Sequence, residues 1–75
     1  MPRKHVVVTG RVQGVGFRYS TCREAMRRGI GGYARNLPDG SVEVEVEGRR
    51  EQLADMIEWL HTGPLGSKVM AVDVS

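Results

Sequence analysis

Seventy-five residues give room for one small domain and exclude a second within them, close to the lower limit at which a lone hydrophobic core outweighs chain entropy. An apolar share of 40% beside 27% charged residues excludes a disordered chain, and a net charge of +2 favours small anionic partners without singling out nucleic acid. One cysteine, Cys22, excludes an intramolecular disulfide, and with neither a long apolar run nor a secretory leader in view a cytoplasmic location and no membrane partner are expected.

The first predicted element is a strand over Lys4 to Thr9, a β-rich run closed by Gly10. A glycine-rich loop follows. From Phe17 to Arg28 the period turns helical: Phe17, Thr21 and Ala25 share one row, and Cys22 with Met26 fill the neighbouring row of the same face, so Cys22 is read as a small core residue. Gly29 followed by apolar Ile30 marks the helix stop.

Gly32 to Leu37 reads as a second strand, and Pro38-Asp39-Gly40-Ser41 supplies the turn of a hairpin. In the next strand Val42, Val44 and Val46 alternate with Glu43, Glu45 and Glu47, which predicts one dry face and one acidic, wet face. Leu53, Met56, Ile57 and Leu60 form the stripe of an amphipathic helix over residues 50 to 61, ended by Gly63-Pro64, with Trp59 as a partly buried packing residue at its edge. Lys68 to Val74 alternates Met70, Val72 and Val74 against Val69, Ala71 and Asp73, a last strand. The order β-α-β-β-α-β, with one apolar stripe per helix, predicts an α+β fold: a ferredoxin-like α/β sandwich with two helices on one face of an antiparallel sheet.

The loop V-T-G-R-V-Q-G-V-G-F-R, residues 8 to 18, joins a strand to a helix N-terminus. Unpaired N–H groups and the positive end of the helix dipole converge there, and Gly10, Gly14 and Gly16 let the backbone curl round an anion. Arg18 lies in the first helical turn, a poor place for a cation if stability alone mattered. Turned inward it would grip a phosphate through two donors; turned outward it is a solvated side chain, and spacing leaves both readings open. The loop fits neither nucleotide template, since no Gly-x-x-x-x-Gly-Lys-Ser/Thr occurs and Tyr19 stands where a dinucleotide fingerprint needs glycine or alanine. His5 and His61 are read as surface residues, Arg27-Arg28 and Arg49-Arg50 as solvated faces. Asn36, just before a turn, is by spacing alone a local backbone cap.

Taken together, V-T-G-R-V-Q-G-V-G-F-R, Ala25, Gly29 to Asn36, Asp39-Gly40, Glu47-Gly48 and G-P-L-G-S-K-V resemble an acylphosphatase over nearly the whole chain, in one register. The resemblance implies a hydrolase that cleaves the carboxyl–phosphate anhydride of small acyl phosphates to a carboxylate and inorganic phosphate, with no metal and no cofactor. It implies that Arg18 binds the phosphate and Asn36 orients the attacking water. Backbone N–H groups of Gln13, Gly14, Val15, Gly16, Phe17 and Arg18 would hold the phosphate oxygens, with inorganic phosphate or sulfate as further ligands. Members of that family usually continue for roughly fifteen residues, adding an edge strand beside the second strand, so the resemblance also implies that this strand is missing here. A shortened chain would leave the second strand's edge open, with pairing of two copies along it as the expected consequence.

Two other functions share the fold. A noncatalytic module would use the same cradle to bind phosphate or a phosphorylated partner. RNA-recognition domains have the same element order, but they stack bases on aromatics of the open sheet face, where this chain has Glu43, Glu45 and Glu47; no nucleic-acid partner is expected.

Overall fold

A computed structural model describes residues 1–75. Six elements follow in the order β1 (Arg3–Arg11), α1 (Phe17–Arg27), β2 (Gly31–Asn36), β3 (Val42–Glu47), α2 (Arg50–Thr62) and β4 (Lys68–Val74). The strands make one antiparallel sheet in the order β2-β3-β1-β4, and the helices cover its valine face, as expected of a ferredoxin-like sandwich.

Alternation along β1 and β3 builds the floor of the core. Val6, Val8, Val42, Val44 and Val46 all face the helices and are at most 2% exposed. Phe17 comes down from α1, Leu53, Met56 and Leu60 from α2, and Ile30 from the α1–β2 connection. Each such large side chain contributes about 1.5–3 kcal/mol by leaving water. Truncating Met56 or Leu60 to alanine would add a cavity term, for a total of about 2–5 kcal/mol. Trp59 packs its ring at 6.3 Å from that of Phe17 and is half-buried, as its place at the edge of the stripe predicts. The stop of α1 also follows the expectation: the N–H of Gly29 donates to the Met26 carbonyl, that of Ile30 to the Ala25 carbonyl, and Ile30 is buried.

Four readings of the sequence are corrected by the tertiary structure. Strict alternation in β4 fails, because the β1–β4 register shifts between Thr9 and Gly10: Thr9 pairs with Ala71 but Gly10 with Val69. The bulge leaves Met70 77% exposed and turns Val69 and Val72 together toward the core. Gly10, at φ 130°, is the residue that permits it, since a Cβ there would stand 2.2 Å from the Lys68 carbonyl oxygen.

Cys22 and Met26 are exposed rather than core residues. Phe17 and Thr21 hold the inner row of α1, while Cys22 and Met26 line a groove shared with Gly32 and Tyr33 of β2. The acidic row of β3 is not simply wet. Glu43 is held by His5 (2.7 Å) and by Arg35, and Glu47 by Arg3 (3.1 Å), so side chains of both neighbouring strands hold two of the three acids; all three are half-buried, and Glu45 Oε2 is buried without a partner. Arg28 departs from its reading too, since it pairs with Glu24 at 2.9 Å and its side chain is only 23% exposed.

Candidate functional site

β1 and β2 are both antiparallel to β3 and therefore parallel to each other, so their carboxyl ends lie at the same end of the sheet. Val42, the first residue of β3, pairs with Val8 of β1 on one side and with Asn36 of β2 on the other. Sheet order thus brings the loop after β1 and the last residue of β2 to one place, although 18 positions separate Arg18 from Asn36.

The loop turns through Gly14 (φ 77°) and Gly16 (φ 76°), and Gly16 is the N-cap of α1. A Cβ on either glycine would meet no atom within 4 Å, so the backbone angle, not crowding, is what asks for glycine. Because Gly16 has no side chain, α1 starts without a side-chain cap, and no acidic residue stands in its first turn. No backbone acceptor takes the N–H groups of Gln13 through Tyr19; the first such bond of the helix start runs from Ser20 to the Gly16 carbonyl. Seven consecutive positions thus present unpaired donors at the positive end of a helix.

Five of these positions, Gly14, Gly16, Phe17, Arg18 and Tyr19, line a cleft of about 290 Å³ together with Val12 and Asn36. Arg18 is exposed and has no carboxylate partner, and the Asn36 amide makes no hydrogen bond within the protein. The lining contains no acid. One fixed cation, a row of N–H groups and a neutral amide therefore face one small space, an arrangement suited to a tetrahedral oxyanion with a water beside it. A larger cavity, about 700 Å³, lies beneath the start of α2 and carries cations on an apolar floor, but it has no loop of free amides.

Arg18, Asn36 and the loop are the residues the sequence singled out, and the fold brings them together. Gln13 carries more than a backbone donor. Its side-chain Nε2 donates to the carbonyls of Leu37 (2.8 Å) and Ser41 (2.9 Å), tying the loop to the β2–β3 turn. No spacing in the sequence announces that tie. The turn itself follows the expected chemistry: Leu37 N–H donates to the Ser41 carbonyl, Gly40 N–H to the Leu37 carbonyl, and the Asp39 carboxylate accepts from the Ser41 N–H and hydroxyl. Those two bonds hold the Asp39 carboxyl below the usual range, the hydroxyl being the larger influence. His5 and His61 take no part: His5 faces Glu43 on the open side of the sheet, and His61 bonds the Ile57 carbonyl of its own helix.

The family model described as Acylphosphatase matches residues 4–75. An acylphosphatase of Nostoc sp. is 56% identical over 72 residues, covering 96% of this chain and 71% of that protein. An acylphosphatase of Thermococcus kodakarensis is 50% identical over 72 residues, covering 96% of this chain and 79% of that protein. Among solved structures, the acylphosphatase from Bacillus subtilis superposes with a TM-score of 0.97 at 40% identity, over 100% of this chain and 83% of that one. With the glycine loop, the sheet order and these likenesses in agreement, the chain belongs to the acylphosphatase family.

Proposed function

We infer that these 75 residues act as a single acylphosphatase domain, hydrolysing small acyl phosphates, and that Arg18, Asn36 and the amides of the glycine loop carry the reaction. N–H groups of Gln13, Gly14, Val15, Gly16, Phe17 and Arg18 bind the phosphoryl oxygens, and the Arg18 guanidinium adds two charge-assisted bonds. The Asn36 amide holds a water in line with phosphorus. As the water oxygen bonds to phosphorus, the bond from phosphorus to the acyl oxygen breaks and its electron pair leaves as carboxylate. The water's proton passes to a phosphate oxygen or to solvent.

This division of labour suits the substrate. The departing carboxylate has a parent acid of pKa about 4 and needs no general acid. What remains is charge stabilisation and placement, which a guanidinium, N–H groups and a neutral amide supply without histidine or carboxylate. The observation that carries the reading is the meeting of uncapped helix donors, an unpaired Arg18 and a free Asn36 amide at one cleft.

The test is the rate of acetyl phosphate and benzoyl phosphate hydrolysis. A parent rate above that of buffer is expected, and a parent rate equal to buffer would leave only the noncatalytic phosphate-binding module. No helix is long and apolar enough to cross a membrane; a cytoplasmic setting belongs to this reading, supported by the lone, unpaired Cys22.

Pairing between copies is a further part of the proposal wherever the β2 edge is uncovered. The Leu37–Ser41 bond sets the ladder alternation, so the backbone groups of Ala34 and Asn36 point away from β3 and offer themselves to another strand. Sedimentation over a range of concentrations tests it, a monomer throughout counting against the pairing.

A further inference from the structure

The proposed reaction needs two things held at a fixed separation: the phosphate cradle after β1 and the water-holding amide at the end of β2. These strands are not neighbours, since β3 lies between them. The cradle is also a short loop with two left-handed glycines, a backbone of low intrinsic stiffness. Some contact must fix the one against the other, and the structure contains a single side-chain hydrogen-bonding group that joins residues 12–16 to the β2–β3 hairpin: the carboxamide of Gln13.

The geometry of that contact leaves little slack. An amide nitrogen carries two hydrogens, and Gln13 Nε2 meets two carbonyl oxygens, Leu37 at 2.8 Å and Ser41 at 2.9 Å. Each carbonyl already accepts one bond inside the turn, Leu37 from the Gly40 N–H and Ser41 from the Leu37 N–H. With Gln13 added, both lone pairs of both oxygens are used. Leu37 directly follows Asn36, so the peptide pinned by Gln13 is the continuation of the one that carries the catalytic amide.

We propose that the Gln13 side chain is a positioning residue for the hydrolysis, setting the distance between the phosphate cradle and the Asn36 amide while touching neither phosphate nor water. The proposal rests on the acyl phosphate reading above. It differs from a plain stability role, because the loss should appear in turnover at temperatures where the protein is fully folded, and only when Asn36 is there to be misplaced.

The test is a double-mutant cycle on acetyl phosphate hydrolysis with Gln13→Met, which keeps the chain length and the backbone N–H but removes the donor. Turnover should fall about ten-fold, the scale of a sub-ångström to ångström misplacement of a reacting group. The inhibition constant of inorganic phosphate should change less than about three-fold, because Arg18 and the loop amides remain. In an Asn36→Ala background the same substitution should cost less than about two-fold. Unchanged turnover, an equal loss in the Asn36→Ala background, or a loss of phosphate affinity matching the loss of turnover would each overturn the proposal.

Should Gln13→Met fold poorly, Gln13→Glu provides a second reading. Its neutral carboxyl can donate to one carbonyl, whereas its carboxylate faces two oxygens and repels them. Activity relative to the parent should therefore rise as pH falls through about 5 to 4, and a flat ratio overturns the proposal. A parent that does not hydrolyse acetyl phosphate at all refutes the underlying reading instead, so the two failures are separable.

Discussion

The two helices begin in opposite ways. At α2, the N-cap Arg49 donates its N–H to Gln52 Oε1 at 2.8 Å, and Glu51 places a carboxylate in the first turn, where the helix dipole favours it. Gln52 then uses its Nε2 to bond the Arg28 carbonyl at the end of α1, locking the helices together. At α1 the cap is a glycine, the first turn has no acid, and a cation stands there instead. By the rules that stabilise helices α2 starts well and α1 poorly. The difference lies at the N-cap and in the charge: the N-cap N–H is satisfied by Gln52 at α2 and has no partner at α1, and the first turn of α2 carries an acid where that of α1 carries a cation, the sign that attracts an anion.

The largest break in this contrast comes from Arg18→Ala. Turnover of acetyl phosphate should fall by about 10²–10³-fold, the effect of removing one charge contact to a transition state. Thermal stability should not fall with it, since a cation leaves the unfavourable end of a helix dipole. A melting temperature that drops in step with activity would mean that Arg18 supports the fold.

Asn36→Ala should come next, lowering turnover by about ten- to a hundred-fold with an inhibition constant for inorganic phosphate within about three-fold of the parent. Equal losses in both would move Asn36 from water placement to phosphate binding.

The mirror-image experiment is Gln52→Ala at the other helix. It removes an acceptor for Arg49 N–H and a donor to the Arg28 carbonyl, which should cost about 1–2 kcal/mol in denaturant unfolding and leave turnover unaltered below the transition.

The smallest effect concerns pH. The hydrogen bond from His5, and after it that from Arg35, holds the Glu43 carboxyl below its ordinary value of 4.5. A depressed carboxylate contributes stability that is present above the unfolded-state value and lost as pH falls through the folded-state value. Acidification below about pH 5 should therefore lower the melting temperature of the parent more steeply than that of Glu43→Gln. Parallel curves would show that this cluster contributes nothing measurable.

Much of the fold is legible because its signals are local. Val42, Val44 and Val46 announce a half-buried strand by period alone, Leu53 to Leu60 a helix by another period, and Pro38 to Ser41 a turn by residue type. The cradle is legible for the same reason: glycines before a helix and an arginine at its start are neighbours in sequence. Met70, Cys22 and Gln13 were not legible. Met70 is exposed because of a bulge that exists only between paired strands, and Cys22 because the row of Phe17 and Thr21, not its own, faces the core. Gln13 bonds carbonyls 24 and 28 positions away, which no local pattern encodes.

By itself the sequence determined the order of elements, the two apolar helix stripes and a loop with the donors for an anion, since each depends on residues within a turn or two of one another. Only the tertiary structure decided that Asn36 would face that loop. Strand order and register do not follow from period or propensity; they emerge when the valine faces of β1 and β3 pair beneath the helices and carry the end of β2 to the start of α1.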